Sequence, residues 1–486
     1  MHRFLPLATL AFGLASLYLF DLGGVGVLQA DEPRYLAIGH AMAQTGDWIT
    51  PRLWGTPWFE KPPLLYWMTA LGAACGFGPE ISGRLPTALL SLLFLWVSFV
   101  LLTREFGRQV AGVTVALLAT SAGWLTYSEL ALTDLPLAAF FSLAVFLALP
   151  LLRLRPQLEQ ANIRFLAIGA CLGFGMLAKG LVPIVLMVPF LWFLRHFWRK
   201  WWLCFVAASV VALPWYLAVY LRNGSVFVEE FFIKHHFERL YSTSLQHIQP
   251  WYFYFPVLLA GVFPWTPLFA LFFKKTTTTW DQRRWFLLSI VVFGFVFFSV
   301  SLNKLPGYLL PLVPALFTLL AAQFEGTIPV QISRWWLVPS ACLIALIPLL
   351  VSLLPISLST GRLSFAGIHV GRTEWFYILL PVIAVFLTRR SWAGAVLVLC
   401  VVAAGIYLKL ESFPIMDQQV SPRGLWRDIR TKSASLCDAG TNREWLYGLE
   451  FYRGAAISYC DPSRASQFEI RSSGHARPVV SPRKHL

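Results

Sequence analysis

Acids and cations keep close company in one stretch of the chain, residues 30–84. Asp31, Glu32 and Arg34 come first, then Asp47, then Glu60 beside Lys61. The stretch around them is amphipathic: Tyr35, Ile38 and Met42, then Leu64, Leu65, Trp67 and Met68, recur at helical spacing. This pattern predicts helices lying along an interface, with charges that are costly to dehydrate unless they are paired or used. The plainer alternative, a solvated loop with incidental charges, fits poorly with so apolar a stretch. Further along, short polar connections repeat the chemistry. They are Ser128-Glu129 through Thr133-Asp134, Ala178-Lys179-Gly180, Lys234 to His247 with His235, His236, Glu238 and Arg239 between, and Asn303-Lys304 through Gly307-Tyr308. If these connections share one side, they imply a polar cavity that tolerates anions, where a phosphate could meet Lys or Arg in low dielectric.

Composition shows what must position them. The chain has 486 residues, 57% hydrophobic and only 13% charged, with a mean hydropathy of +0.64. A water-facing domain of this size needs roughly a quarter of its residues charged. The apolar residues arrive instead in bilayer-length blocks, which predict an all-α polytopic membrane protein with about 13 spans. They run near 4–22, 85–102, 108–127, 133–152, 163–178, 180–196, 200–219, 251–273, 285–302, 305–322, 335–355, 374–388 and 392–410. The 21 Trp, 15 Tyr and 40 Phe suit wide interfacial belts. Residues 1–412 read as one transmembrane domain and 413–486 as a polar C-terminal region.

Charge orients the spans. With the N-terminus in the cytoplasm, one set of connections carries Arg104 and Arg108, Arg153, Arg155 and Arg164, Arg195, Arg199 and Lys200, Lys274, Lys275, Arg283 and Arg284, Arg334, and Arg389 with Arg390. The short connections on the other side are nearly bare, with only Lys179 and Lys304 among them. Because Lys and Arg in short loops set topology, the N-terminus is expected inside and the C-terminus outside. The polar connections then all fall on the outer face. The net charge of +15 is partly this topology signal, and its scatter among loops argues against a nucleic-acid surface. The first span, ending at Leu28-Gln29-Ala30, has some features of a cleaved signal peptide. Its length and the bulky Leu28 favour a retained helix.

Specific motifs carry a family resemblance. Asp31-Glu32-Pro33-Arg34-Tyr35, Gly46-Asp47-Trp48 and Phe59-Glu60-Lys61-Pro62-Pro63 through Trp67 are similar to the first external loop of the lipid A 4-amino-4-deoxy-L-arabinose transferases. These belong with the protein O-mannosyltransferases in the GT-C superfamily. Leu132-Thr133-Asp134, Ala178-Lys179-Gly180, His236-Phe237-Glu238-Arg239 and Lys304 through Pro311 add to the series, and the resemblance covers roughly residues 1–325.

The resemblance implies a GT-C fold and roles by position. Asp31 matches the principal catalytic carboxylate, with Arg34 in the same motif and Asp134 as a further cavity residue. Lys61, Lys179, Arg239 and Tyr308 match residues that meet the donor phosphate or line its site. Glu60 and His236 match a divalent metal pair (zinc, magnesium or manganese), and His235 is an equal candidate for the histidine. The implied reaction is inverting transfer of a sugar from a polyprenyl-phosphate carrier, such as undecaprenyl phosphate, to lipid A phosphate at the outer face of a bacterial inner membrane. Asp31 would be general base for a hydroxyl acceptor, or would orient groups for an acceptor already ionised. A protein Ser/Thr or another surface glycan is an alternative acceptor, and a transporter is the rival class. A transporter would be expected to carry inverted repeats and broken helices at the midplane, whereas these charges cluster at helix ends.

The tail is short for an aminoarabinose transferase. Glu444 through Leu449 and Ile457-Ser458-Tyr459 read as strands of a small α/β unit, and residues after about 465 read as disordered. Of the seven cysteines, Cys437 and Cys460 lie in this tail and could bridge in an oxidising compartment, or remain free thiols.

Overall fold

In the computed structural model, which describes residues 5–153, 160–237, 248–273, 280–323, 334–360, 371–388, 392–461, 466–472, 474 and 477–483, the polar loop and the apolar runs become two helical layers. Side chains within residues 235–237 are outside the description. The first apolar run forms α1 (Leu5–Leu19). Two helices of the 30–84 stretch follow, α2 (Asp31–Thr45) and α3 (Leu64–Ala74). Gly46 ends α2 in the left-handed region at φ 71°, its N–H returning to the Met42 carbonyl. A two-residue turn at Trp54 and Gly55, both with positive φ, closes the hairpin of β1 (Arg52–Leu53) and β2 (Thr56–Pro57). The amphipathic pattern predicted this layer. Tyr35, Ile38 and Met42 are buried with Leu65, Tyr66 and Ala70 in one cluster. The two helices touch where Gly39 stands against Thr69, a space that a β-carbon would overfill.

The apolar runs build the bundle: α4 (Ile81–Ala119), α5 (Ala122–Ser128), α6 (Asp134–Ala148), α7 (Ala161–Lys179), α8 (Val182–Leu186), α9 (Val188–Phe193), α10 (Trp201–Asn223) and α11 (Ser225–Val228). They continue as α12 (Tyr254–Gly261), α13 (Gln282–Val300), α14 (Val313–Ala322), α15 (Arg334–Ala345), α16 (Leu350–Thr360), α17 (Arg372–Leu387) and α18 (Ala393–Gln419). α6 is the central rod, with 83% of its apolar window buried. Gly169 and Gly173 let α7 approach the α10 backbone, the small-residue contact expected where no hydrophobic effect drives helices together. Outward-facing Trp96, Phe205 and Leu221 are exposed, as lipid-facing residues are.

Helical structure stands at every predicted span. Among the described residues, seven helices are long and apolar enough to cross a membrane, or eight with a pair bent by 107° between Trp251–Gly261 and Thr266–Phe272. The other runs are shorter or interrupted. The run at 180–196 is split at Met187, which belongs to neither α8 nor α9. Gly107, at φ 84° and ψ 161°, breaks α4 between two expected spans.

The C-terminal region differs from expectation in three respects. The boundary expected after 412 lies inside α18, which carries Pro414 within it and runs on to Gln419. Glu444 through Leu449 are helical, not extended. Asn442 accepts from the Glu444 N–H, Gly454 ends the helix in the left-handed region, and these caps override the strand preference of Trp and Tyr. Residues after 465 include paired strands. The unit comprises α19 (Pro422–Ile429), β3 (Leu436–Asp438), α20 (Arg443–Arg453), β4 (Phe468–Arg471) and β5 (Val479–Pro482). β3 pairs parallel to β4, and β4 antiparallel to β5. Leu425, Leu436, Trp445, Leu449 and Ile470 form its core, and Cys437 and Cys460 are bridged.

Candidate active site

Asp31 is the first residue of α2, where the helix dipole favours a negative charge. Arg34, one turn later, donates to Asp31 Oδ1 and through Nε to the Ala30 carbonyl at 3.0 Å. Its remaining nitrogen reaches Glu60 Oε2 at 2.7 Å. The Arg34 side chain is 5% exposed, and Trp58 and Tyr447 cover its guanidinium at 5.6 and 5.1 Å. Burial pushes its pKa down, but the carboxylates of Glu60 and Asp31 outweigh that and hold it above the ordinary arginine value. The other Glu60 oxygen binds Lys61 Nζ at 2.8 Å. The site is therefore a chain of alternating charge, Asp31–Arg34–Glu60–Lys61. The Asp31 side chain is 37% exposed, and among the described residues no group bonds its second oxygen.

A second cluster stands at the N-terminal end of α6. Lys179, last residue of α7, donates to Asp134 Oδ1 at 2.5 Å and lies 4.8 Å over the Tyr308 ring. Gly307 makes this possible: a β-carbon there would occupy the space of the Asp134 carboxylate and crowd the Tyr127 hydroxyl. Tyr127 lies within electrostatic reach of both Asp134 and Asp31 and so links the two clusters. Lys304, the cation beside this motif, holds its own turn instead, donating to the Gln249 and Ser301 carbonyls.

Asp31, Arg34 and Glu60 line a cavity of about 1450 Å³, whereas Asp134, Lys179 and Tyr308 are not on its wall. One wall is apolar, with Leu354, Leu358, Leu408 and Phe413 from α16 and α18. Arg239 lies outside the described residues, as does the His236 side chain. Among the described residues, no three His, Cys, Asp or Glu side chains gather in a metal-binding group. Both oxygens of Glu60, the expected metal ligand, are bonded to cations. Glu60 is thus engaged by two cations in this structure, and no step below is routed through a metal.

Three elements of the cavity escaped the sequence reading. Lys409, within α18, donates to the Leu17 and Phe20 carbonyls at the end of α1, at 2.7 and 2.9 Å, and pairs with Glu129 at 2.7 Å. Burial pushes the Glu129 carboxyl up to about 7 against the opposing pull of Lys409. A lone cation in an apolar run was the available signal. Arg84 grips both Glu32 oxygens at 2.7 Å, and also the Leu22, Val25 and Gly26 carbonyls, fixing the strand of chain that leads into α2. Finally, Asn442, Arg443, Glu444 and Trp445 bring the C-terminal unit into the cavity wall. Nothing in their spacing pointed there.

Comparison with known proteins shows what the chain is similar to. Residues 4–239 match the family described as dolichyl-phosphate-mannose-protein mannosyltransferase. The chain is 33% identical over 322 residues to an undecaprenyl phosphate-alpha-4-amino-4-deoxy-L-arabinose arabinosyl transferase of Pseudomonas aeruginosa, covering 63% of this chain and 56% of that protein. It is 31% identical over 335 residues to the protein of that name from Aeromonas salmonicida, covering 66% and 59%. The chain thus spans somewhat over half the length of these relatives. ArnT from Cupriavidus metallidurans, solved bound to undecaprenyl phosphate, superposes with a TM-score of 0.74 at 23% identity, covering 94% of this chain and 86% of that one. The chain has the polytopic GT-C membrane fold, and its sequence resembles both the aminoarabinose transferases and the O-mannosyltransferases.

Proposed function

We propose that this chain is an inverting glycosyltransferase that moves a sugar, 4-amino-4-deoxy-L-arabinose, from undecaprenyl phosphate to a phosphate of lipid A. The observation that carries the reading is the Asp31–Arg34–Glu60 part of the charge chain on the wall of a cavity that also has an apolar side, with Lys61 bonded behind it to Glu60. The apolar wall suits a polyprenyl tail. Lys61 exchanges its bond to Glu60 for the donor phosphate and neutralises the charge that develops as the sugar leaves. Arg34 holds Asp31 so that its second oxygen faces the acceptor. Asp31 removes the acceptor proton where one is present, and otherwise orients the acceptor and stabilises the cationic sugar. Lys179 keeps Asp134 in register behind this wall.

In this reading the chain crosses a bacterial inner membrane about 13 times, counting broken and short helices as spans. The N-terminus is cytoplasmic, and the cavity and C-terminal unit are periplasmic, as the Lys and Arg asymmetry requires. A divalent ion, where one binds, would be held by His236 together with Glu60 and would help neutralise the leaving phosphate. The match to the mannosyltransferase family favours a second reading, in which a protein hydroxyl is the acceptor.

The test is sugar transfer by the full chain in proteoliposomes from a synthetic undecaprenyl-phosphate donor, offered lipid A or a Ser/Thr peptide. Transfer to lipid A that Asp31→Asn abolishes is the expected result. Transfer to the peptide alone selects the second reading, and full activity of the Asn variant removes Asp31 from the mechanism.

A further inference from the structure

The ring of Tyr447 has a cation on each of two approaches. Arg34 lies 5.1 Å from its centre and Arg443 lies 5.7 Å from it. The two arginines differ in what they have left to bind. Arg34 is buried and committed to Asp31, Glu60 and a carbonyl. Arg443 is exposed, lines the same cavity, and among the described residues has no acidic partner. An unpaired guanidinium held against an aromatic face keeps its planar fork of donors, which matches a phosphate in two places at once.

Its mount is rigid. α20 is fastened to the segment that carries the catalytic charges at two further points. The Tyr452 hydroxyl donates to Glu80 at 2.7 Å and accepts from the Val27 N–H at 3.0 Å. The Trp54 indole donates to Glu450 at 3.2 Å. Arg443 therefore sits at a fixed offset from Asp31, on the wall of the same cavity. A cation at fixed offset from the reacting carboxylate positions an acceptor better than a mobile one does.

We propose that Arg443 is the residue that binds the acceptor's phosphate, with Tyr447 as the platform that sets its direction; this deepens the function proposed above and rests on it. The donor phosphate belongs to Lys61, and Arg443 selects an anionic acceptor over a neutral one. The C-terminal unit is then the specificity element of the site, despite its small size.

The experiment measures transfer kinetics of the full chain in proteoliposomes, with lipid A carrying both phosphates and with the same lipid dephosphorylated. Arg443→Ala should raise the KM for phosphorylated lipid A about tenfold, the scale of one lost charge-assisted contact. The donor KM and kcat should stay within about twofold, and Arg443→Lys should recover part of the loss. A donor KM that moves as much as the acceptor KM, or an unchanged acceptor KM, overturns the assignment. A second arm keeps the two proposals separable: binding of the same lipid A to the Asp31→Asn chain in nanodiscs, with and without Arg443→Ala. If the wild type transfers no sugar yet Arg443→Ala weakens this binding, the transferase reading fails and the phosphate site stands. Equal binding by both chains removes the site.

Discussion

The Trp54 indole and the Glu450 carboxylate, 396 positions apart, meet in a 3.2 Å hydrogen bond that joins the hairpin tip beside the charge chain to the helix carrying Tyr447. Glu450 is buried, and its other oxygen accepts from the Ile457 N–H at 2.9 Å. Trp54→Phe and Glu450→Gln should each lower the thermal midpoint and reduce transfer. Together they should cost less than their sum, with a coupling of about 1 kcal/mol. Strictly additive losses in the double variant would show that the bond does not hold the C-terminal unit in place.

Arg34 should not tolerate lysine. Its guanidinium reaches Ala30, Asp31 and Glu60 at once while lying against Trp58 and Tyr447, and an ammonium cannot span that fork. Arg34→Lys is expected to lower kcat about a hundredfold with the fold intact, because Asp31 loses its orientation. Steady-state transfer together with a melting curve reads both quantities; a variant with normal kcat refutes the orienting role.

Gly307 has a comparable role in the second cluster. A methyl group there displaces the Asp134 carboxylate from Lys179 and presses on Tyr127. Gly307→Ala should cost about 1–3 kcal/mol of stability, as overpacking does. Transfer should fall with it, and Asp134→Asn should show a similar loss of transfer with a smaller loss of stability. An alanine variant of wild-type stability would mean that the cluster has slack at this point.

Glu129 makes stability depend on pH. Its carboxyl titrates near 4.5 in the unfolded chain and is pushed up to about 7 by burial in the fold. Between these values the folded chain holds a proton that the unfolded chain has released. Its contribution is thus complete below 4.5 and lost as pH rises through about 7, a change of roughly 3 kcal/mol. Thermal unfolding in detergent between pH 5 and 8 should show the midpoint falling as pH rises, and Glu129→Gln should flatten that fall. An unchanged slope in the Gln variant would assign the pH dependence to another group.

Much of the site was legible because its parts are close in sequence. Asp31, Arg34, Glu60 and Lys61 fall within one amphipathic stretch, and helix spacing already put their apolar neighbours on a common face. The apolar runs located the helices for the same reason. Their interruptions were harder to see, since Gly107 and Met187 sit in apolar surroundings that read as uninterrupted. Glu129 and Lys409 were invisible as a pair because only tertiary packing brings α5 beside α18 and the end of α1. The segment 443–453 misled through its aromatic residues, although Asn442 and Gly454 bracketed a helix in plain view. Tyr447 beside Arg34 could be learned only from the fold.

The cavity is assembled from the two extremes of the chain. Asp31, Arg34 and Glu60 leave the ribosome early, but Lys409 and Arg443 leave it late, and all five line one space. Without α18 the cavity would lack Leu408, Lys409 and Phe413, and the α1 carbonyls that Lys409 binds would be left uncapped. The space is thus complete only when contacts between residues nearly four hundred positions apart have formed, such as Lys409 to the Leu17 carbonyl.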